Sequence, residues 1–135
     1  GRAAKAVFHP FYTGAPTPDH TLADVEANIL PCLPISVLLL GMGDDMHTAS
    51  LFPRAEGLEA ALDRQSTAIL APVIAADQPE ARVSMTANTL NGALSKHLVI
   101  VGENKLKALE RAATLPKEKA PVNAVLEGMT VHWAP

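Results

Sequence analysis

Residues 41–50, Gly-Met-Gly-Asp-Asp-Met-His-Thr-Ala-Ser, place two carboxylates and an imidazole at positions 44, 45 and 47, directly after the apolar run Val37-Leu38-Leu39-Leu40. A histidine two residues from a carboxylate can have its ring oriented and its imidazolium stabilised by that carboxylate, which suits a general base near neutral pH. His47 is thus the candidate base and Asp45 its orienting partner. Gly41 and Gly43 are the candidate loop backbone, expected to turn the chain out of a sheet at φ values that other residues resist. The same residues serve equally well as a tight turn with solvated side chains, because loops in this position are commonly polar.

Two cations complete the candidate chemistry. Lys105 falls in the first turn of a predicted helix, where the macrodipole disfavours positive charge and a bound anion would reverse the penalty. Arg82 opens a predicted strand, and its planar guanidinium matches phosphate better than an ammonium does. Spacing alone leaves the bland readings open: Lys105 as an exposed neighbour of Lys107, and Arg82 as a strand-end residue paired with Glu80. His9, His97 and His132 are scattered and make no metal-ligand pattern, so they read as structural or solvent-facing. A dinucleotide fingerprint fits poorly, since the third glycine is missing and Asp44 and Asp45 would face a pyrophosphate with like charge. There is no G-x-S-x-G elbow, and the single Cys32 sits between prolines.

The elements that must position these residues follow from pattern. Residues 6–14 read as a short strand, and the following segment as a helix starting near Asp19 or Thr21 with Leu22, Val25 and Ile29 on one face. Pro31 and Pro34 end it. The run Ile35–Leu40 predicts a strand covered on both faces of a parallel sheet, and Thr48 or Ser50 is expected to begin the next helix. Residues 56–63 read as helix, 67–73 and 81–87 as strands about a turn at 75–80, and 86–95 as a helix starting at Thr86 or Asn88. Residues 97–102 predict a second buried strand, 103–115 a helix with Leu106, Leu109 and Ala113 on one side, and 129–134 a last strand. Strands alternating with helices predict an α/β fold, a doubly wound, mostly parallel sheet with flanking helices, with ligands beyond the carboxyl ends of its strands.

Composition narrows the classes. The chain has 135 residues, 48% hydrophobic and 19% charged, with one Trp, one Tyr and three Phe, so its core is built from Leu, Val, Ile and Ala. A net charge of −3 with no isolated basic block gives no footprint for nucleic acid or an anionic membrane, and directs attention to small molecules. One cysteine, no signal peptide and no long apolar run point to a reducing, cytoplasmic setting.

The stretch Leu38–Pro53 resembles the signature of the 6-phosphogluconolactonases, G-M-G-x-D-G-H-T-A-S-L-F-P, with Met46 in place of the glycine before histidine. In order after it, residues 81–93 are similar to the family's R-V-T-x-T-x-x-x-L-N segment, 99–105 to its G-x-x-K turn, and Ala120-Pro121-Val122 with Val131–Ala134 to its ending. The resemblance implies a NagB-like, Rossmann-like domain of which residues 1–135 are the C-terminal portion. It implies His47 as the base that activates water against a lactone carbonyl, Asp45 as its partner, and Arg82 and Lys105 as ligands of a sugar phosphate. Such hydrolysis needs water, a base and oxyanion stabilisation, but no metal or other cofactor. If the family's glycine is left-handed, Met46 would be strained by about 1 kcal/mol. The related aminosugar-phosphate deaminase/isomerases carry a glutamate five residues after the histidine, where this chain has Phe52. A sugar-phosphate-sensing regulatory domain is the non-enzymatic alternative, which would not need the Asp45/His47 pair.

Overall fold

The computed structural model describes residues 4–14, 17, 21–75 and 78–135. Helix α1 (Leu22–Ile29) runs into a 3-10 turn at Leu30–Cys32 and then strand β1 (Val37–Leu40). Helix α2 (Leu58–Leu62), strands β2 (Leu70–Ala75) and β3 (Gln78–Met85) and helix α3 (Ala87–Asn91) follow. Strand β4 (Ser95–Val101), helix α4 (Glu103–Ala112), a second 3-10 turn at Pro121–Ala124 and strand β5 (Thr130–Ala134) complete the chain. The strands β1, β4 and β5 form a parallel sheet in the order β1-β4-β5, with Leu39 beside His97 and Val99 beside His132. The β2 and β3 strands form an antiparallel ribbon in which Arg82 lies opposite Val73. No helix among the described residues is long and apolar enough to cross a membrane.

Local sequence explains the seams between these elements. Val25 and Ile29, four apart and buried, place one face of α1 on Leu70. Between them in sequence, Glu26 Oε1 accepts hydrogen bonds from the amides of both Ile69 (2.9 Å) and Leu70 (2.8 Å), so the helix also satisfies the entry to β2. Thr86 caps α3: its hydroxyl accepts from the Thr89 amide at 3.2 Å and donates to the Ala68 carbonyl at 2.9 Å. Gly102, at φ +93°, turns the chain from β4 into α4, a conformation that disfavours any side chain. Ala108 and Ala112 are the buried face of α4, small enough to let the helix close on Leu98 and Ile100.

Several expectations are corrected. Residues 6–14 form no strand; Pro10 lacks a donor, and Val7 and Phe8 are exposed. Thr48 and Ser50 begin no helix, because Thr48 is buried with its hydroxyl on the Gly41 carbonyl at 2.8 Å. The next helix waits for Gly57, whose left-handed φ of +82° and 2.3 Å approach to the Pro72 carbonyl from a built Cβ demand glycine. Ala113 is exposed, one position off the stripe that Ala108 and Ala112 define. The expected turn at 75–80 is mostly strand, with residues 76–77 outside the described residues, as is Asp19.

The largest departure concerns the sheet. Its inner face carries Leu38, Leu98 and Ile100 into the core, but Val37 (64% exposed), Leu39 (67%), Val99 (42%) and Val101 (63%) on the other face are bare. The strands are apolar on both sides, as parallel strands are, while among the described residues nothing covers the face of Val37, Leu39, Val99 and Val101.

Candidate active site

The loop after β1 is closed by its own backbone. Gly43 N–H donates to the His47 carbonyl and Met46 N–H to the Gly43 carbonyl, each at 2.9 Å, and Val122 N–H ties the Met46 carbonyl to the second 3-10 turn at 3.1 Å. Met42 and Met46 enter the core with Leu98, Ile100, Ala108 and Val122, so the loop is pinned from beneath. Asp45 Oδ1 then accepts from the His47 amide at 3.2 Å and from His47 Nδ1 at 2.6 Å. An ionised carboxylate only accepts, which assigns the shared proton to Nδ1 and leaves a lone pair on Nε2. Burial raises the Asp45 carboxyl, but the hydrogen bonds and charge from His47 outweigh it, and the group lies below its ordinary value. The His47 side chain keeps 32% of its surface exposed, enough for a water or substrate to meet Nε2.

The glycines act differently from the expectation. Neither Gly41 nor Gly43 has a positive φ. Gly41 offers its carbonyl to Thr48 and has room for a side chain. Gly43 is required by closeness: a Cβ there would lie 2.2 Å from His47 Nδ1 and 2.5 Å from Asp45 Oδ1. The left-handed residues of this segment are Ala49, at φ 51°, and Met46, at φ 68° and only 7% exposed. The strain expected of a non-glycine residue is thus present, and apolar burial opposes it.

Both candidate cations come to this loop. Lys105 Nζ lies 3.3 Å from Asp44 Oδ1, so a resident carboxylate already answers the helix-terminus charge. Arg82, an interior residue of β3, sets its Cζ 5.3 Å from the centre of the Phe52 ring, and the same ring lies 4.4 Å from the His47 ring, tilted 35°. Ser50 N–H donates to Ser84 Oγ at 3.3 Å, joining the loop to β3 two residues beyond Arg82 on the same strand face. Three participants escaped sequence reasoning: Phe52 as a shared platform, Asp44 as the partner of Lys105, and Arg111, whose Nη2 donates to the Asp44 carbonyl at 3.2 Å. Spacing along α4 holds no signal for Arg111, since six residues carry it about 120° around the helix from Lys105.

His97, His132 and His9 lie elsewhere. His97 Nδ1 and His132 Nε2 are 2.9 Å apart across β4 and β5, and His97 Nε2 is 2.9 Å from Ser95 Oγ. His9 Nε2 is 3.9 Å from Cys32 Sγ. Among the described residues, no three His, Cys, Asp or Glu side chains gather as a metal site would require.

Comparison with known proteins places the chain in a family. The glucosamine-6-phosphate isomerase/6-phosphogluconolactonase family matches residues 2–133. A 6-phosphogluconolactonase of Pseudomonas aeruginosa is 42% identical over the whole chain, and one of Pseudomonas putida 40%; the chain spans 58% and 57% of their lengths. The crystal structure of a 6-phosphogluconolactonase from Shewanella baltica superposes with a TM-score of 0.90 at 27% identity, covering 98% of this chain and 58% of that one. The fold is the NagB-like one of these relatives, and the chain belongs to the glucosamine-6-phosphate isomerase/6-phosphogluconolactonase family.

Proposed function

We propose that the protein containing this chain hydrolyses 6-phospho-D-glucono-1,5-lactone to 6-phosphogluconate. The observation that carries the reading is the 2.6 Å bond between His47 Nδ1 and Asp45 in the loop after β1, which favours the tautomer with its lone pair on Nε2. Nε2 takes a proton from water as the water oxygen adds to lactone carbon C1. The resulting tetrahedral oxyanion collapses with cleavage of the C1–O5 bond, and the imidazolium returns its proton to O5. Asp45, kept ionised, stabilises the imidazolium between these steps. Arg82 and Lys105 bind the phosphate, and the dianion displaces Asp44 from Lys105.

The names of the relatives support lactone hydrolysis, and a place in the pentose phosphate pathway and a cytoplasmic setting go with it. The deaminase/isomerase reading is weaker, because the position where those enzymes carry a glutamate is the buried, apolar Phe52 packed on His47. The test follows acid release from the lactone with a pH indicator, using the full chain with and without His47→Asn. The substitution should lower kcat by about 10²–10⁴-fold. An equal rate in the variant would overturn the mechanism.

A further inference from the structure

We propose that Phe52 is a positioning residue for this hydrolysis, one ring that holds the base and the phosphate-binding arginine in a fixed relation. The inference rests on the lactonase reading. Among the described residues the His47 ring has one hydrogen bond, through Nδ1, and a single hydrogen bond leaves an imidazole free to swing about its axis. The Phe52 ring, 4.4 Å away, removes that freedom. Arg82 reaches the same ring from β3, across a ribbon that touches the loop separately through Ser50 and Ser84.

The ring itself cannot drift. Phe52 is 9% exposed and belongs to the core cluster containing Leu38, Leu51 and Leu58. Its π-face is also electrostatically suited to both neighbours, since it attracts the guanidinium at all times and the imidazolium once His47 has taken a proton. Phe52 therefore links two functions: the orientation of Nε2, which sets kcat, and the placement of Arg82, which sets affinity for the phosphate.

The test is steady-state lactone hydrolysis by the full chain carrying Phe52→Leu, Phe52→Tyr or Val25→Ala. Phe52→Leu should lower kcat by roughly 10-fold through misplacement of the base and raise KM by about 2–5-fold through loss of the cation–π contact. Phe52→Tyr should keep both near wild type. Val25→Ala damages the separate core cluster of Val25, Ile29 and Leu70, and should leave both constants near wild type while lowering the unfolding midpoint. When Phe52→Leu is combined with Arg82→Gln, the KM effects should fail to multiply. Wild-type kcat and KM in Phe52→Leu would overturn the proposal, as would an equal loss in Val25→Ala. An inactive wild-type protein would instead sink the lactonase reading itself.

Discussion

Replacing Met46 with glycine restores the residue that the family signature places before the histidine, and the structure predicts that it destabilises the protein. Met46 holds φ at 68°, and left-handed geometry costs a non-glycine residue about 1–2 kcal/mol, which glycine would recover. Against that gain stands a side chain only 7% exposed among Met42, Leu98, Ile100 and Val122. Truncating a buried methionine costs about 2–5 kcal/mol. Packing wins, and Met46→Gly should lose about 1–3 kcal/mol. Met46→Ala keeps the strain and loses the packing, so it should be the less stable variant by about 1 kcal/mol. Urea unfolding of the full chain reads both, with wild type first, glycine second and alanine third in midpoint. Activity should largely survive in the glycine variant, because the loop is closed by main-chain bonds between Gly43, Met46 and His47. A glycine variant as stable as wild type, or less stable than the alanine variant, would refute the balance of strain and burial.

Two further outcomes follow from the same loop. Gly43→Ala puts a methyl group 2.3 Å from His47 Cε1 without demanding an unusual φ, so the ring must leave Asp45. Its kcat should fall about 100-fold while the urea midpoint reports a change below about 1 kcal/mol; wild-type kcat would show that the ring is not held as described. The pH dependence of Asp45→Asn tests the carboxylate. Because the Asp45 carboxyl is lowered in the folded state, its contribution is fully present above the ordinary aspartate value of about 3.9 and is lost as pH falls through the lowered folded value. The wild-type advantage over Asp45→Asn in unfolding free energy should hold from pH 7 to 5 and shrink below pH 4, and an advantage that grows on acidification would reverse the assignment.

The parts of this molecule that were legible in the sequence are those set by local pattern. The apolar run into β1, the alternation around β4 and α4, and Thr86 as a cap each depend on a few neighbouring residues, and each lies where the pattern puts it. Asp45 and His47 were legible as a pair because only Met46 stands between them. The pairing of Lys105 with Asp44 and the sharing of Phe52 by His47 and Arg82 were not, since they join positions 61 and 30 residues apart and depend on how α4 and the ribbon close on the loop. Gly43 was identified as important for the wrong reason: spacing reveals a glycine but does not distinguish a backbone that needs freedom from a neighbour that needs room.

The uncovered side of the sheet governs how this chain behaves in solution. Val37, Leu39, Val99 and Val101 present exposed apolar side chains on one face, beside His97 and His132, and β1 ends the three-stranded sheet with its outer hydrogen-bonding edge unpaired within it. A net charge of only −3 and a pI near 5.9 give copies little mutual repulsion, and less as the medium approaches pH 6. Self-association through that face is therefore expected to strengthen as pH falls towards 6. A substitution such as Leu39→Glu, which takes the net charge from −3 to −4 and removes one of those apolar side chains, would widen the working range without entering the core that holds the His47 loop.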